Sequence, residues 1–386
     1  MPLHRSPASR NARPPSLLSR RTFLAGLGAT ALVGCSSAGQ ATDVDLGGSR
    51  SLRMLNWSDY IDLGADSTLA LLQTELGLSV EYLEEYEDNY GGWALIESNA
   101  DAGTSGYDIV VPTNWRAAQM IEQGWAAPLP IEIIPNHVNL DPQYMTNPWD
   151  RGSRFQMPWQ AGITGIAYDP ALTGRELNSV EDLFDPAFAG RIGLIGEMRE
   201  AVGLAMLANG DDPSRPTEAA ARAGLDRVRV AVESGQVGEV VFNEFADLLD
   251  SGRFVASMAW SGDAALLQQR RPDIEFVIPD EGGIQWFDSM VIPANSANVA
   301  AAGVFMNYVY DPANAARITS FVQYISPVLG VADELRSMGG ASAELAANPI
   351  LFPDDATRNR LFTWGGLDDT EIETAIDDEF NELVPA

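Results

Sequence analysis

Apolar positions along this chain alternate between two rhythms, the short solid or alternating run of a strand and the three-and-four spacing of a helix. Leu52 to Asn56 reads as a strand. Leu69, Leu72 and Leu76 then fall on one helical face, with Asp66 and Ser67 as capping candidates and Gly77 as the stop. Leu78 to Leu83 resumes as strand, Tyr107 to Pro112 is an apolar run bounded by turn residues, and Asn114 to Gly124 predicts a helix closed by glycine. Farther on, Gly162 to Tyr168, Arg191 to Ile195, Phe254 to Trp260, Ile274 to Ile278 and Ser289 to Ile292 are candidate strands, and Ala221, Leu225, Val228 and Val232 line a helical face between them. Strands alternating with helices over the whole length predict an α/β protein of two doubly wound domains, whose mainly parallel sheets present ligands at the carboxyl ends of their strands. No internal repeat of fixed period interrupts the pattern.

The N-terminus follows a different logic. Ser19-Arg20-Arg21-Thr22-Phe23-Leu24 precedes an apolar segment too short to span a bilayer, and Leu32-Val33-Gly34-Cys35 closes it. Paired arginines ahead of such a segment predict twin-arginine export of a folded protein, and the closing tetrapeptide fits a lipobox with Cys35 as the lipidated first residue. Residues 1–34 are thus expected to be a removed signal peptide and 35–51, rich in Ser, Gly, Ala and Asp, a flexible tether. The mature protein would be lipid-anchored on the outer side of the cytoplasmic membrane or in the periplasm.

Composition narrows the chemistry. Cys35 is the only cysteine in 386 residues, which leaves no intramolecular disulfide and no cysteine cluster for a metal. His4 lies in the leader and only His137 remains, so neither a histidine metal site nor a serine-histidine pair is expected except through His137, and no cofactor is implied. Every basic residue except the histidines is an arginine. The leader carries five of these and no acids, so its removal takes the formal charge from −30 to −35. Nucleic acid and anionic headgroups are poor partners for such a protein. About 350 residues that are 46% hydrophobic suffice for two domains, and a monomer is expected.

Three short clusters couple an aromatic face to a carboxylate: Trp57-Ser58-Asp59-Tyr60, Trp260-Ser261-Gly262-Asp263 and Trp286-Phe287-Asp288. An aromatic ring attracts a cation through its quadrupole, and a carboxylate supplies charge-assisted hydrogen bonds to N–H groups. Together they suggest an ammonium site. Glu197-Met198-Arg199-Glu200 follows a predicted strand and opens a helix, where the dipole favours acids. Paired carboxylates also serve as acid and base in hydrolysis, so a secreted hydrolase using Glu197 and Glu200 stands beside the binding reading.

In order along the chain, Asn56-Trp57-Ser58-Asp59-Tyr60, Tyr107-Asp108-Ile109-Val110-Val111-Pro112-Thr113, Asn139-Leu140-Asp141-Pro142, Glu281 to Ser289 and Ile292-Pro293-Ala294 resemble the spermidine and putrescine binders of bacterial polyamine ABC transporters. The resemblance implies a two-lobed periplasmic-binding-protein fold with a hinged cleft, lobe 1 being 52–161 plus 288–330 and lobe 2 being 162–287 plus 331–386. It implies no enzyme activity, a polyamine ligand and a membrane-embedded permease as partners. Carried over by motif, Trp57, Ser58, Asp59, Tyr60, Thr113 and Trp115 would line one lobe. Glu197, Glu200, Trp260 and Tyr324 would approach from the rest of the cleft, with Trp286 and Asp288 clamping an inner ammonium. An acid at the position of Glu197 goes with spermidine preference and one at Asp263 with putrescine preference, and this chain has both. Trp364-Gly365 departs from the family's tryptophan-glutamine. A receptor for another organic cation is the alternative within this class.

Overall fold

The computed structural model describes residues 50–384; the expected signal peptide, Cys35 and all but the end of the tether lie outside them. The predicted alternation becomes ten strands: β1 (Ser51–Trp57), β2 (Ser79–Tyr86), β3 (Ile109–Val110), β4 (Gln156–Tyr168), β5 (Ile192–Ile195), β6 (Val237–Val241), β7 (Ala256–Trp260), β8 (Glu275–Val277), β9 (Gly283–Val291) and β10 (Leu361–Phe362). The first helix, Thr68–Leu76, is bounded as its sequence predicts. Ser67 caps it by accepting from the Ala70 amide, and Gly77 ends it in the left-handed region at φ 67°.

The strands form one hydrogen-bonded path, β2-β1-β3-β9-β4-β7-β5-β6, with β10 on β9 and β8 on β4. Parallel pairing holds at both ends, in β2-β1-β3 and in β7-β5-β6. The middle is antiparallel: β9 pairs with β4 from Gln156↔Val291 to Thr164↔Ile284, with a shift of register between Pro158 and Ala161. These long strands cross from one core to the other. Met157 and Met290 are buried among Leu52, Met54, Ile109, Phe305 and Ile318, whereas Ile166 and Ile284 are buried among Leu194, Val202, Leu225, Met258 and Phe380. A third segment runs beside them, where Ala161 and Ile325 exchange backbone hydrogen bonds of 2.8 and 2.9 Å. The architecture is that of two lobes hinged on crossing strands.

One boundary differs from the expectation. Val331, Leu335 and Ala346 pack in the first core, because Val331 and Leu335 share the inner face of the helix Val331–Met338 against the preceding helix Pro312–Val322. The second core gains its C-terminal part only later, through Phe362, Trp364, Ile376 and Phe380. The stretch 331–346 therefore sits with lobe 1 rather than with the 331–386 portion assigned to lobe 2. No helix among the described residues is long and apolar enough to cross a membrane.

Candidate functional site

The predicted site residues gather where strands end. Trp57 closes β1, Thr113 precedes the helix Asn114–Glu122 after β3, Glu197 precedes the helix Met198–Ala208 after β5, and Trp260 closes β7. This is the carboxyl-end location that parallel α/β sheets favour. Trp286 and Asp288 come instead from β9, one of the crossing strands.

Asp288 is 3% exposed and accepts from the Tyr60 hydroxyl at 2.9 Å and from the Thr113 side chain. Two positions earlier on the same face of β9, the Trp286 indole donates to Thr164 Oγ1 at 3.1 Å. Thr164 in turn donates to Glu200, which also accepts from the Trp260 indole at 2.7 Å. Tyr324 stands between the rings of Tyr60 and Trp286, 5.5 Å from each, and its hydroxyl donates to Asp263. Glu197 is buried and accepts from Asn89 Nδ2 at 3.2 Å.

Charge is what sets this region apart. Glu197, Glu200 and Asp288 have no arginine within ion-pair distance among the described residues, although arginines elsewhere on the protein pair freely. Burial dominates the titration of all three, pushing Glu197 up to about 8 and Glu200 and Asp288 up to about 7. For Glu197 the neighbouring Glu200 adds to the effect, and for Asp288 the bonds from Tyr60 and Thr113 oppose it. Such a set, edged by four aromatic rings, is built to be completed by positive charge.

The remaining predicted residues divide. Asp59 lies on the turn after β1 at φ 53°, with its amide donating to Glu84 Oε1 at 2.9 Å, and Ser58 is exposed beside it. Trp57 donates to the Val111 carbonyl at 2.9 Å and packs on Tyr86 with ring centroids 4.4 Å apart, so its indole N–H is committed to the fold. Trp115 lies under the Arg199 guanidinium. Gly365 fits against backbone: a β-carbon there would lie 1.9 Å from the Ser214 carbonyl oxygen, and Trp364 is buried in the second core. Asn89, Thr164 and Tyr90 join the site without any sequence signal, whereas Arg199 lies within the quartet Glu197 to Glu200.

A cavity of about 100 Å³ opens elsewhere, between Ile96, Tyr107, Met120 and Trp125, and no acid or arginine lines it. Among the described residues no group of three or more His, Cys, Asp or Glu side chains could hold a metal ion.

The close packing at the site has a direct test. Gly162 faces Trp286 across β4 and β9, and a β-carbon there would lie 2.3 Å from the indole ring. Gly162→Ala should therefore displace Trp286 and weaken ligand binding about tenfold or more while the protein stays folded, as overpacking costs of about 1–3 kcal/mol allow. Calorimetry alongside thermal unfolding checks this.

The hinged, two-lobed architecture is that of periplasmic binding proteins, and a protein from Listeria monocytogenes assigned to a spermidine/putrescine ABC transporter superposes with a TM-score of 0.74. That pair is 27% identical, over 87% of this chain and 99% of the other. The signature of bacterial extracellular solute-binding proteins matches residues 72–353, and the chain belongs to that family. The spermidine/putrescine-binding periplasmic protein of Escherichia coli (strain K12) is 28% identical over 336 residues, 86% of this chain and 90% of its own length. Spermidine/putrescine-binding periplasmic protein 1 of Haemophilus influenzae is 25% identical over 306 residues, 78% of this chain and 80% of its own.

Proposed function

We propose that this protein is an extracytoplasmic polyamine receptor that captures spermidine or putrescine in the cleft and delivers it to an ABC permease. The observation that carries the proposal is the trio of buried carboxylates, Glu197, Glu200 and Asp288, set among aromatic faces with no arginine within ion-pair distance among the described residues. A polyamine answers both parts of that arrangement. Its ammonium groups meet the carboxylates, each charged hydrogen bond contributing about 1.5–3 kcal/mol before desolvation, and its methylenes lie along Trp286, Trp260, Tyr60 and Tyr324. A few such contacts reach micromolar affinity, about −8 kcal/mol. No residue is assigned a catalytic role.

Mass spectrometry of small molecules released from purified protein, followed by calorimetry with both amines, tests this reading. Release of an amine and its saturable rebinding sustain it. Binding of neither amine sinks it.

The proposal includes export through Arg20-Arg21 and anchoring through a lipid on Cys35. Replacing both arginines by lysine should leave precursor in the cytoplasm. Cys35→Ser should give exported protein that leaves the membrane fraction, and protein that resists a salt wash would refute the anchor.

A further inference from the structure

The ring of Trp115 already holds a cation. Arg199 Cζ lies 3.5 Å from its centroid, and Arg116 Cζ lies 4.2 Å from it. Arg199 is 7% exposed and is answered by two acids on the C-terminal helix Thr370–Asn381: Glu373 at 2.6 Å and Asp377 at 3.3 Å. The other Asp377 oxygen accepts from the Tyr90 hydroxyl at 2.6 Å, and Tyr90 follows Asn89, which bonds Glu197. The row of unneutralised carboxylates, Asp288, Glu200 and Glu197, thus runs into a cluster whose acids and aromatic face are both taken by the protein's own guanidinium.

We infer that Arg199 is a length stop that fixes how many ammonium groups the cleft accepts. The inference rests on the polyamine reading and sharpens it. Asp288, Glu200 and Glu197 answer up to three ammoniums of a linear amine. A fourth would have to enter beside a buried guanidinium, with no free carboxylate and no free ring, and like charges brought together under low dielectric repel strongly. Arg199 therefore selects against linear tetra-amines by occupying the seat they need. Trp115 serves this resident cation instead of the ligand.

The test is calorimetry of the mature protein with putrescine, spermidine and the tetra-amine spermine, on wild type, Arg199→Met and Arg199→Lys. Wild type is expected to prefer spermidine to spermine by about tenfold or more, roughly the discrimination one unpaired charge supplies. Arg199→Met removes one of the two guanidiniums on the Trp115 ring and leaves Glu373 and Asp377 without a cation, so the spermine-to-spermidine affinity ratio should rise about tenfold, with the putrescine-to-spermidine ratio held within about twofold. Arg199→Lys keeps the charge and should keep the wild-type ratios. An unchanged ratio in a folded Arg199→Met protein overturns the stop, as does an equal loss for all three amines, which would make Arg199 a support for closure only. If Arg199→Met does not fold, Glu373→Gln carries the test: a less neutralised guanidinium should depress spermine against spermidine about threefold, and an unchanged ratio overturns the inference. Wild type that binds none of the three refutes the polyamine reading itself, a result distinct from binding without selection by length.

Discussion

Asp288→Asn should cost about 2–5 kcal/mol of polyamine binding, the loss seen when one partner of a desolvated charge pair is removed. The substitution preserves the size and planarity of the side chain, and the Tyr60 hydroxyl 2.9 Å away can still donate to the remaining carbonyl oxygen. What disappears is the charge that repays burial of an ammonium. What is added is an amide N–H₂ that can donate to the Thr113 hydroxyl but cannot accept from an ammonium. Trp286→Ala should also cost a large share of affinity, since its ring packs on Tyr324 and its N–H fixes Thr164 beside Glu200. Asp369→Asn is the matched control. Asp369 is exposed and caps the C-terminal helix through the Glu371 and Ile372 amides, a task asparagine performs equally well. Calorimetry should separate the two aspartates by at least about tenfold; equal losses would reduce the cleft to one part of a generally acidic surface.

Binding should release protons and tighten as pH rises. Without ligand, Glu197 titrates near 8 and Glu200 and Asp288 near 7, so all three are partly protonated at neutral pH. An ammonium ligand, charged throughout this range, requires the ionised carboxylates. Each proton that must leave changes the binding free energy by about 1.4 kcal/mol per pH unit below the relevant pKa. Between pH 8 and pH 6, affinity should therefore fall by about tenfold or more, and calorimetry in buffers of different ionisation enthalpy should register net proton release near pH 7. The unliganded protein responds in the opposite sense. Folded-state values above the ordinary carboxyl range mean that these groups favour the folded state most fully below about pH 4 and lose that contribution as pH rises through 7 to 8. Ligand should thus raise the thermal midpoint more at pH 8 than at pH 6. An affinity flat across that range would show that the carboxylates are already ionised before ligand arrives.

Much of this was legible from one residue to the next. Leu69, Leu72 and Leu76 with Ser67 and Gly77 define a helix locally, and β5 and β7 are solid apolar runs between turn residues. β6 escapes because Gly238 and Glu239 interrupt its apolar run, and its pairing with β5 comes from the sheet rather than from its own pattern. The antiparallel join of β4 and β9 is equally silent, since two strands buried on both sides read alike whichever way they run. At the site, the aromatic-acid motifs point to Trp260, Trp286 and Asp288, whose chemistry is carried in nearby letters, and Glu200 is read separately from its pairing with Glu197. Thr164 and Asn89 are read only in three dimensions, where separate chain segments bring their polar atoms to Glu200 and Glu197. Trp115 is the instructive case. The family resemblance puts it on the wall of one lobe, whereas the structure sets its ring against Arg199, a guanidinium held by acids on a helix more than 250 residues farther along.

The position of β9 between β3 and β4 also governs the order in which the chain can mature. β3 is synthesised about 180 residues before its neighbour, and until β9 emerges it presents an open edge above a core still lacking Phe305 and Ile318. The other half pairs its strands sooner, for β5, β6 and β7 lie within residues 192–260, although its core still awaits Ile376 and Phe380. The lobe begun first at the ribosome therefore waits on distant sequence before it can close, and long-range pairing of this kind is slow and exposed to misassociation. A precursor that crosses the membrane only after folding would suit this chain, because both lobes draw on late segments, β9 for the first and the helix Thr370–Asn381 for the second.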